Sequence, residues 1–282
     1  MTSGAFRKTA GKIKLNSIYI EEVCRIILNN PLLKERVDAL EDHARRTLFS
    51  DLSNYNDLLK THFNTEHRML INLYFAVCFA GDCELRYLSA RIDPEIYIDT
   101  MGDIEIWVGS YYERTGCVGL EAVSWIRRHL KFEVFKLGRL QFELGVLQMP
   151  VNNYPEGAKC LNIHIPEGEK LDVAKCRESI RRVKTFFRRH LGYEYSIAVC
   201  HSWLLHGNLK DLLEEDSNIS GFARLFEIID NDDDASQIIE RVFGPGEVVS
   251  QELPEKTTLQ RKLKRYLLTG HRIGMGTGII EF

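Results

Sequence analysis

No two of the seven cysteines (Cys24, Cys78, Cys83, Cys117, Cys160, Cys176, Cys200) have the two-residue spacing of a zinc knuckle or a redox dithiol. An odd count with no secretory leader points to reduced thiols in a reducing compartment, most of them serving as small core hydrophobes. Arg7, Lys8, Lys12 and Lys14 are basic, but no apolar h-region follows them, so this start does not read as a signal peptide. Long apolar runs are missing as well. Met69–Gly81 is the longest and Asn72 interrupts it, whereas a membrane span needs about 20 such residues. Charge of one sign is also lacking: 37 basic and 40 acidic residues leave a net charge of −3, which excludes a global field for nucleic acid. Internal repeats and low-complexity segments are absent. With 44% hydrophobic and 27% charged residues, the chain of 282 is neither disordered nor fibrous. A cytoplasmic globular protein, with no membrane or nucleic-acid partner, is the expectation.

The first ~130 residues read as helices. Segments 18–30, 32–49 and 66–80 carry helical spacing, with Asn30–Pro31 closing the first and Gly81–Asp82 expected to end the third. Asn54–Leu59 reads as a short turn. Asp93 and Pro94 make a helix start, and one long helix is expected over 106–130, its last turn carrying Arg127, Arg128 and His129. The period then shifts to two: Leu140, Phe142, Leu144 and Val146 alternate with Arg139, Gln141, Glu143 and Gly145. That shift sets the expected boundary between a helical domain, 1–131, and an α/β domain, 132–282.

The second part holds a strand–helix–strand unit. Strand 161–165 leads through Glu167–Gly168–Glu169–Lys170 to a helix capped by Asp172 and ended by Gly192, and a strand over 195–205 follows. Two such strands are expected to be parallel, joined by a right-handed crossover. Further on, Thr257 and Gln260 form a capping box before the last helix. Gly274, Gly276 and Gly278 follow a helix rather than precede one, so they read as a turn feeding a terminal strand and not as a phosphate loop.

Three places can carry chemistry. The loop after strand 161–165 has the topology of an anion site, with backbone N–H groups near Gly168 and the cation of Lys170, set against the acidic Glu167, Glu169 and Asp172. On strand 195–205, alternation puts Ile197, Val199, His201 and Trp203 on one face and Cys200 and Ser202 on the other. Cys200 or Ser202 pairs with His164 as nucleophile and base only if both point to the same sheet face; otherwise Cys200 is a buried hydrophobe. Glu143, with Gln141, is a general-base candidate if partly buried and an ordinary strand residue if solvated. No HExxH, GxSxG or Cys/His ligand spacing occurs, so no metal site is expected.

Leu137–Gly–Arg–Leu–Gln–Phe–Glu143, Leu161–Asn–Ile–His–Ile–Pro–Glu–Gly–Glu–Lys–Leu–Asp172 and Cys200–His–Ser–Trp–Leu–Leu205 together resemble a bacterial family of acyltransferase-domain proteins, which pair a helical N-terminal domain with a GNAT-like C-terminal domain. Ser217–Asn–Ile219, Val242–Phe–Gly244, Leu253–Pro254 and Thr258–Leu–Gln–Arg261 extend the likeness over most of 132–282. The resemblance implies an α+β fold, a helical domain followed by a mixed α/β domain with a mostly antiparallel central sheet. It implies transfer of an acyl group from acyl-coenzyme A, a cosubstrate rather than a permanent cofactor, to an amine of a small molecule. By analogy, Ile163, His164 and Ile165 lie along the pantetheine arm and thioester, and Gly168 and Lys170 at the pyrophosphate. Gln141 and Glu143 lie on the acceptor side, Glu143 being the base candidate. Ser202, Trp203 and Asn218 line the cleft. Where related enzymes carry Arg/Gln-x-x-Gly-x-Gly/Ala at the pyrophosphate, this chain reads Pro166–Glu–Gly–Glu–Lys–Leu. A Cys/Ser–His hydrolase or thioesterase, and a catalytically silent ligand- or partner-binding module, are the alternatives.

Overall fold

The computed structural model describes residues 2–282. Two compact units result, one of residues up to Leu137 with Pro166–Gly168, the other of Gly138–Ile165 and Glu169–Phe282.

The first unit is helical: α1 (Ser3–Lys12), α2 (Ser17–Val23), α3 (Pro31–Ser50), α4 (Leu52–His62), α5 (Thr65–Ser89), α6 (Pro94–Met101), α7 (Asp103–Thr115) and α8 (Val123–Leu130), then β1 (Val134–Leu137). Starts follow the caps: Asn30, Asp51, Asn64 and Asp93 each accept a first-turn N–H. Asp51 thereby turns the expected turn at 54–59 into α4. Helix α2 runs on into a π-helical turn, Cys24–Leu28, before Pro31. Helix α5 passes straight through Gly81–Asp82. Its burial of Cys83 and Tyr87 outweighs the ~1 kcal/mol that a mid-helix glycine costs. The expected helix over 106–130 is instead two, because Gly116 takes a left-handed conformation (φ 72°) that closes α7. At the centre, α5 buries an unbroken run from Leu70 to Ala80; Asn72 within it accepts from Tyr55 Oη (2.8 Å) and donates to the Leu120 carbonyl (3.0 Å). No helix among the described residues is long and apolar enough to cross a membrane.

The remaining elements are β2 (Leu140–Val146), β3 (Lys159–His164), α9 (Val173–Leu191), β4 (Ile197–Ser202), α10 (Asn218–Ala223), β5 (Glu227–Asn231), α11 (Ser236–Phe243), α12 (Thr258–Leu268) and β6 (Gly276–Glu281). The five strands of this unit form a sheet in the order β2-β3-β4-β6-β5. β2–β3, β4–β6 and β5–β6 are antiparallel and β3–β4 is parallel, with α9 as the crossover, so the sheet is mixed and mostly antiparallel as expected. Asp172 caps α9 and Gly192 (φ 60°) ends it. Thr257 and Gln260 form both bonds of the capping box on α12. Between β4 and α10 the chain makes a 3-10 turn, Gly207–Asp211.

The C-terminal glycines serve close backbone approach. A Cβ on Gly276 would lie 2.4 Å from the Leu205 carbonyl carbon and 2.7 Å from the His206 nitrogen; one on Gly274 would lie 2.5 Å from the Asp232 oxygen. Backbone cannot yield as a flexible side chain does. Gly276→Ala is expected to destabilise by about 2 kcal/mol or more, read as a lowered midpoint in thermal or urea unfolding.

Candidate active site

The site grows from the register of β2 on β3. Gln141 lies opposite His164, Glu143 opposite Asn162 and Gly145 opposite Cys160, so all six side-chain positions share one sheet face. Glu143 and His164 are diagonal neighbours there, and His164 Nε2 donates to Glu143 Oε2 at 2.8 Å. The Glu143 side chain is 11% exposed and that of His164 30%. Gln141 is buried. With Nε2–H given to the carboxylate, a neutral His164 carries its lone pair on Nδ1. This is the orienting logic by which an acid sets the tautomer of a base.

β3 and β4 are paired only at Leu161–Ala198 and Asn162–Val199. Beyond those pairs the ladder stops. β3 stays bonded to β2 as far as the Gln141–His164 pair, and β4 stays bonded to β6 as far as Ser202–Gly276. The parallel strands therefore part on the C-terminal side of Asn162 and Val199, and the Glu143–His164 pair stands beside the parting. At the other end the same face is covered by the segment over 147–158: Leu147, Val151, Cys160, Ile197 and Ile279 form a buried cluster, with Tyr154, Ala158 and Val199 packed against it.

The register also decides the nucleophile question. Since Asn162 faces Val199, the Glu143–His164 face continues onto Val199 and His201, and Cys200 and Ser202 occupy the opposite face. The condition for pairing His164 with either, a shared sheet face, is thus not met. Cys200 is fully buried and its thiol is pushed up to about 12 by burial. Ser202 Oγ accepts the Leu204 N–H at 3.3 Å, capping the 3-10 turn Trp203–Leu205 in which β4 ends. Trp203 is accordingly off the strand, and packs on the cluster of Leu209, Leu212 and Ile238. Cys160, on the site's own face, is pushed up to about 11, mainly by burial and less by the Glu143 carboxylate.

The remaining positions are more dispersed. Ile163 is buried opposite Phe142, on the far face from His164, and Ile165 is half-buried just past β3. Gly168 is exposed at φ 84° and belongs to the first unit by its contacts. Lys170 is exposed, and its carbonyl accepts from Arg139. Asn218 is exposed at the first turn of α10, with Ser217 as cap. The alternation pattern passed over Arg139. It is 4% exposed, with Nε 3.1 Å from the Lys170 carbonyl and Nη2 2.9 Å from that of Glu169. Its place beside Gly138 at the head of a strand otherwise apolar on one face was the available signal. Among the described residues no group of three His, Cys, Asp or Glu could hold a metal ion.

Of the seven thiols only Cys117 is exposed. The native protein is expected to react rapidly with one equivalent of Ellman's reagent, and Cys117→Ser to abolish that fast phase. A second fast thiol would contradict the burial of Cys200 and Cys160.

Two family models match the chain. Residues 134–280 match the GNAT-like C-terminal domain, and residues 10–132 match the N-acyltransferase N-terminal domain. No curated protein sequence matches significantly. Among solved structures, an acyltransferase variant in complex with octanoyl-coenzyme A superposes with a TM-score of 0.82 at 23% identity, over 100% of this chain and 89% of that one. An acyltransferase in complex with decanoyl-coenzyme A and teicoplanin superposes with a TM-score of 0.80 at 24% identity, over 98% of this chain and 87% of that one. At such identities the likeness is one of fold. The family models reach further: the chain belongs to the N-acyltransferase family that joins this N-terminal domain to a GNAT-like C-terminal domain.

Proposed function

We propose that this chain transfers an acyl group from acyl-coenzyme A to an amine of a small molecule. One observation carries the reading: a carboxylate-held imidazole, Glu143–His164, stands where the parallel strands β3 and β4 part. An amine arrives as an ammonium ion and must lose a proton before it can attack. His164 Nδ1 takes that proton, and Glu143 stabilises the imidazolium through Nε2. The amine nitrogen then bonds to the thioester carbonyl carbon, the C–S bond breaks, and the second proton that the nitrogen sheds goes to the departing thiolate. Alignment of the two substrates supplies most of the rate, the base adding roughly 10²–10⁴-fold. No protein nucleophile is required, in keeping with the placement of Cys200 and Ser202 on the opposite face. Structural relatives hold octanoyl- or decanoyl-coenzyme A, so medium-chain thioesters are the donors to try first.

The test is calorimetric titration with octanoyl-coenzyme A, followed by release of coenzyme A thiol against a panel of amine acceptors. Micromolar binding and amine-dependent release are expected. The absence of heat at millimolar ligand would reject the reading.

A further inference from the structure

The loop after β3 lacks the glycine-rich, basic sequence that related enzymes present to pyrophosphate, and its side chains are largely acidic. What lies beneath it is a cation. Arg139 is 4% exposed at the start of β2, its backbone N–H donates to Ser179 Oγ on α9 (2.9 Å), and its guanidinium holds two successive carbonyls, Glu169 by Nη2 (2.9 Å) and Lys170 by Nε (3.1 Å). The third nitrogen, Nη1, is buried with no hydrogen-bond partner, and no carboxylate pairs with the guanidinium among the described residues. Carbonyl oxygens satisfy a guanidinium's donors but leave its charge uncompensated, and an uncompensated buried charge is costly.

Fixing those carbonyls fixes the next amides. A trans peptide points its N–H opposite to its C=O. With the oxygens of Glu169 and Lys170 drawn to Arg139, the N–H groups of Lys170 and Leu171 are turned to the other side of the loop. The Lys170 oxygen also accepts the Asp172 N–H at 2.9 Å, which closes a three-residue turn on Leu171, and Asp172 in turn caps α9 through the Lys175 N–H (3.0 Å). The result is two aligned peptide dipoles with their positive ends outward, backed by a buried positive charge and leading into a helix N-terminus. Such an arrangement of amides receives an anion without help from basic side chains.

We propose that Arg139 is the positioning residue of the coenzyme loop, ordering the Lys170 and Leu171 amides to receive the pyrophosphate of acyl-coenzyme A; this rests on the acyl-coenzyme A reading above. Arg139 does not touch the coenzyme. It presets the amides, and the arriving anion compensates its charge.

The experiment compares octanoyl-coenzyme A with octanoyl-pantetheine, which lacks the pyrophosphate, by titration against the wild-type chain, Arg139→Met and Leu171→Pro. The second variant is chosen because Leu171 has negative φ at the centre of its turn, the conformation proline adopts, so that one N–H is deleted while Arg139 stays in place. Each variant is expected to bind octanoyl-coenzyme A about tenfold or more weakly, as loss of charge-assisted amide bonds requires, while octanoyl-pantetheine binds as to wild type. If Arg139→Met does not fold, Leu171→Pro decides alone. Wild type binding the coenzyme with the folded variants within twofold of it overturns the role of Arg139 and leaves the acyl-coenzyme A reading standing. Equal losses for both ligands overturn the assignment to the pyrophosphate. Wild type binding no octanoyl-coenzyme A overturns both readings.

Discussion

Glu143→Gln should lower kcat for amine acylation by about 10²–10³-fold and change the KM for acyl-coenzyme A by no more than about threefold. The substitution keeps the volume of the buried side chain and keeps an oxygen 2.8 Å from His164 Nε2, but removes the charge that stabilises the imidazolium. His164→Ala should cost as much or more, because it removes the base as well as its orientation. The double variant should be no worse than His164→Ala alone, since the two residues act as one unit and their effects do not add. A small change in KM is expected because neither side chain is among the groups, Arg139 and the Lys170 and Leu171 amides, assigned above to the coenzyme's phosphates. If both single variants keep kcat within threefold of wild type, the pair is not the acid–base group of the reaction. A loss confined to KM would instead assign Glu143 and His164 to binding.

The parts of this site differ in how far they could be read from residues alone. Alternation over Leu140–Val146 places Gln141 and Glu143 together on one face, because the period of a strand is a local property. That His164 meets Glu143 and that Ser202 does not meet His164 depend on the register of β2 on β3 and of β3 on β4. A slip of one residue would have reversed both results, and nothing local to either strand specifies it. The same contrast runs through the helices. Asp93, Asp172, Gly192 and the Thr257–Gln260 box act within one turn of themselves and mark the ends they were expected to mark. Gly81 does not stop α5, because the helix buries Cys83 and Tyr87 beyond it, a tertiary gain that propensity cannot anticipate. The role of Arg139 was only faintly marked in the sequence, for a related reason. Its burial comes from Ser179, some forty residues away on α9, and from the carbonyls of a loop thirty residues on.

Asp103→Ala should destabilise the first unit by about 3–5 kcal/mol, the range for stripping one partner from a buried charged cluster. Asp103 is 3% exposed, at the start of α7, where a carboxylate also meets the positive end of the helix dipole. Its Oδ2 accepts Trp125 Nε1 at 2.6 Å and Trp107 Nε1 at 3.1 Å, and lies 3.4 Å from Nε2 of His129, which is fully buried. His129 Nδ1 in turn reaches the Trp125 carbonyl at 3.2 Å. One carboxylate therefore ties both ends of α7–α8 together: Asp103 and Trp107 stand on α7, Trp125 and His129 on α8, and Gly116 breaks the chain between them. Alanine would take this acceptor from two half-buried indole N–H groups and from the buried His129 ring and leave a small void, each lost bond to the carboxylate costing roughly 1–3 kcal/mol before relaxation. Asp103→Asn keeps an acceptor oxygen for the indoles and loses only the charge, so it should cost about half as much. Urea unfolding followed by tryptophan fluorescence reads the effect directly, because Trp107 and Trp125 are two of the three tryptophans and both bond to the altered group. If alanine and asparagine cost the same small amount, under about 1 kcal/mol, the carboxylate does not hold the two helices together. The junction would then rest on the apolar faces of α7 and α8, on Ile104, Val108, Val123, Ile126 and Leu130.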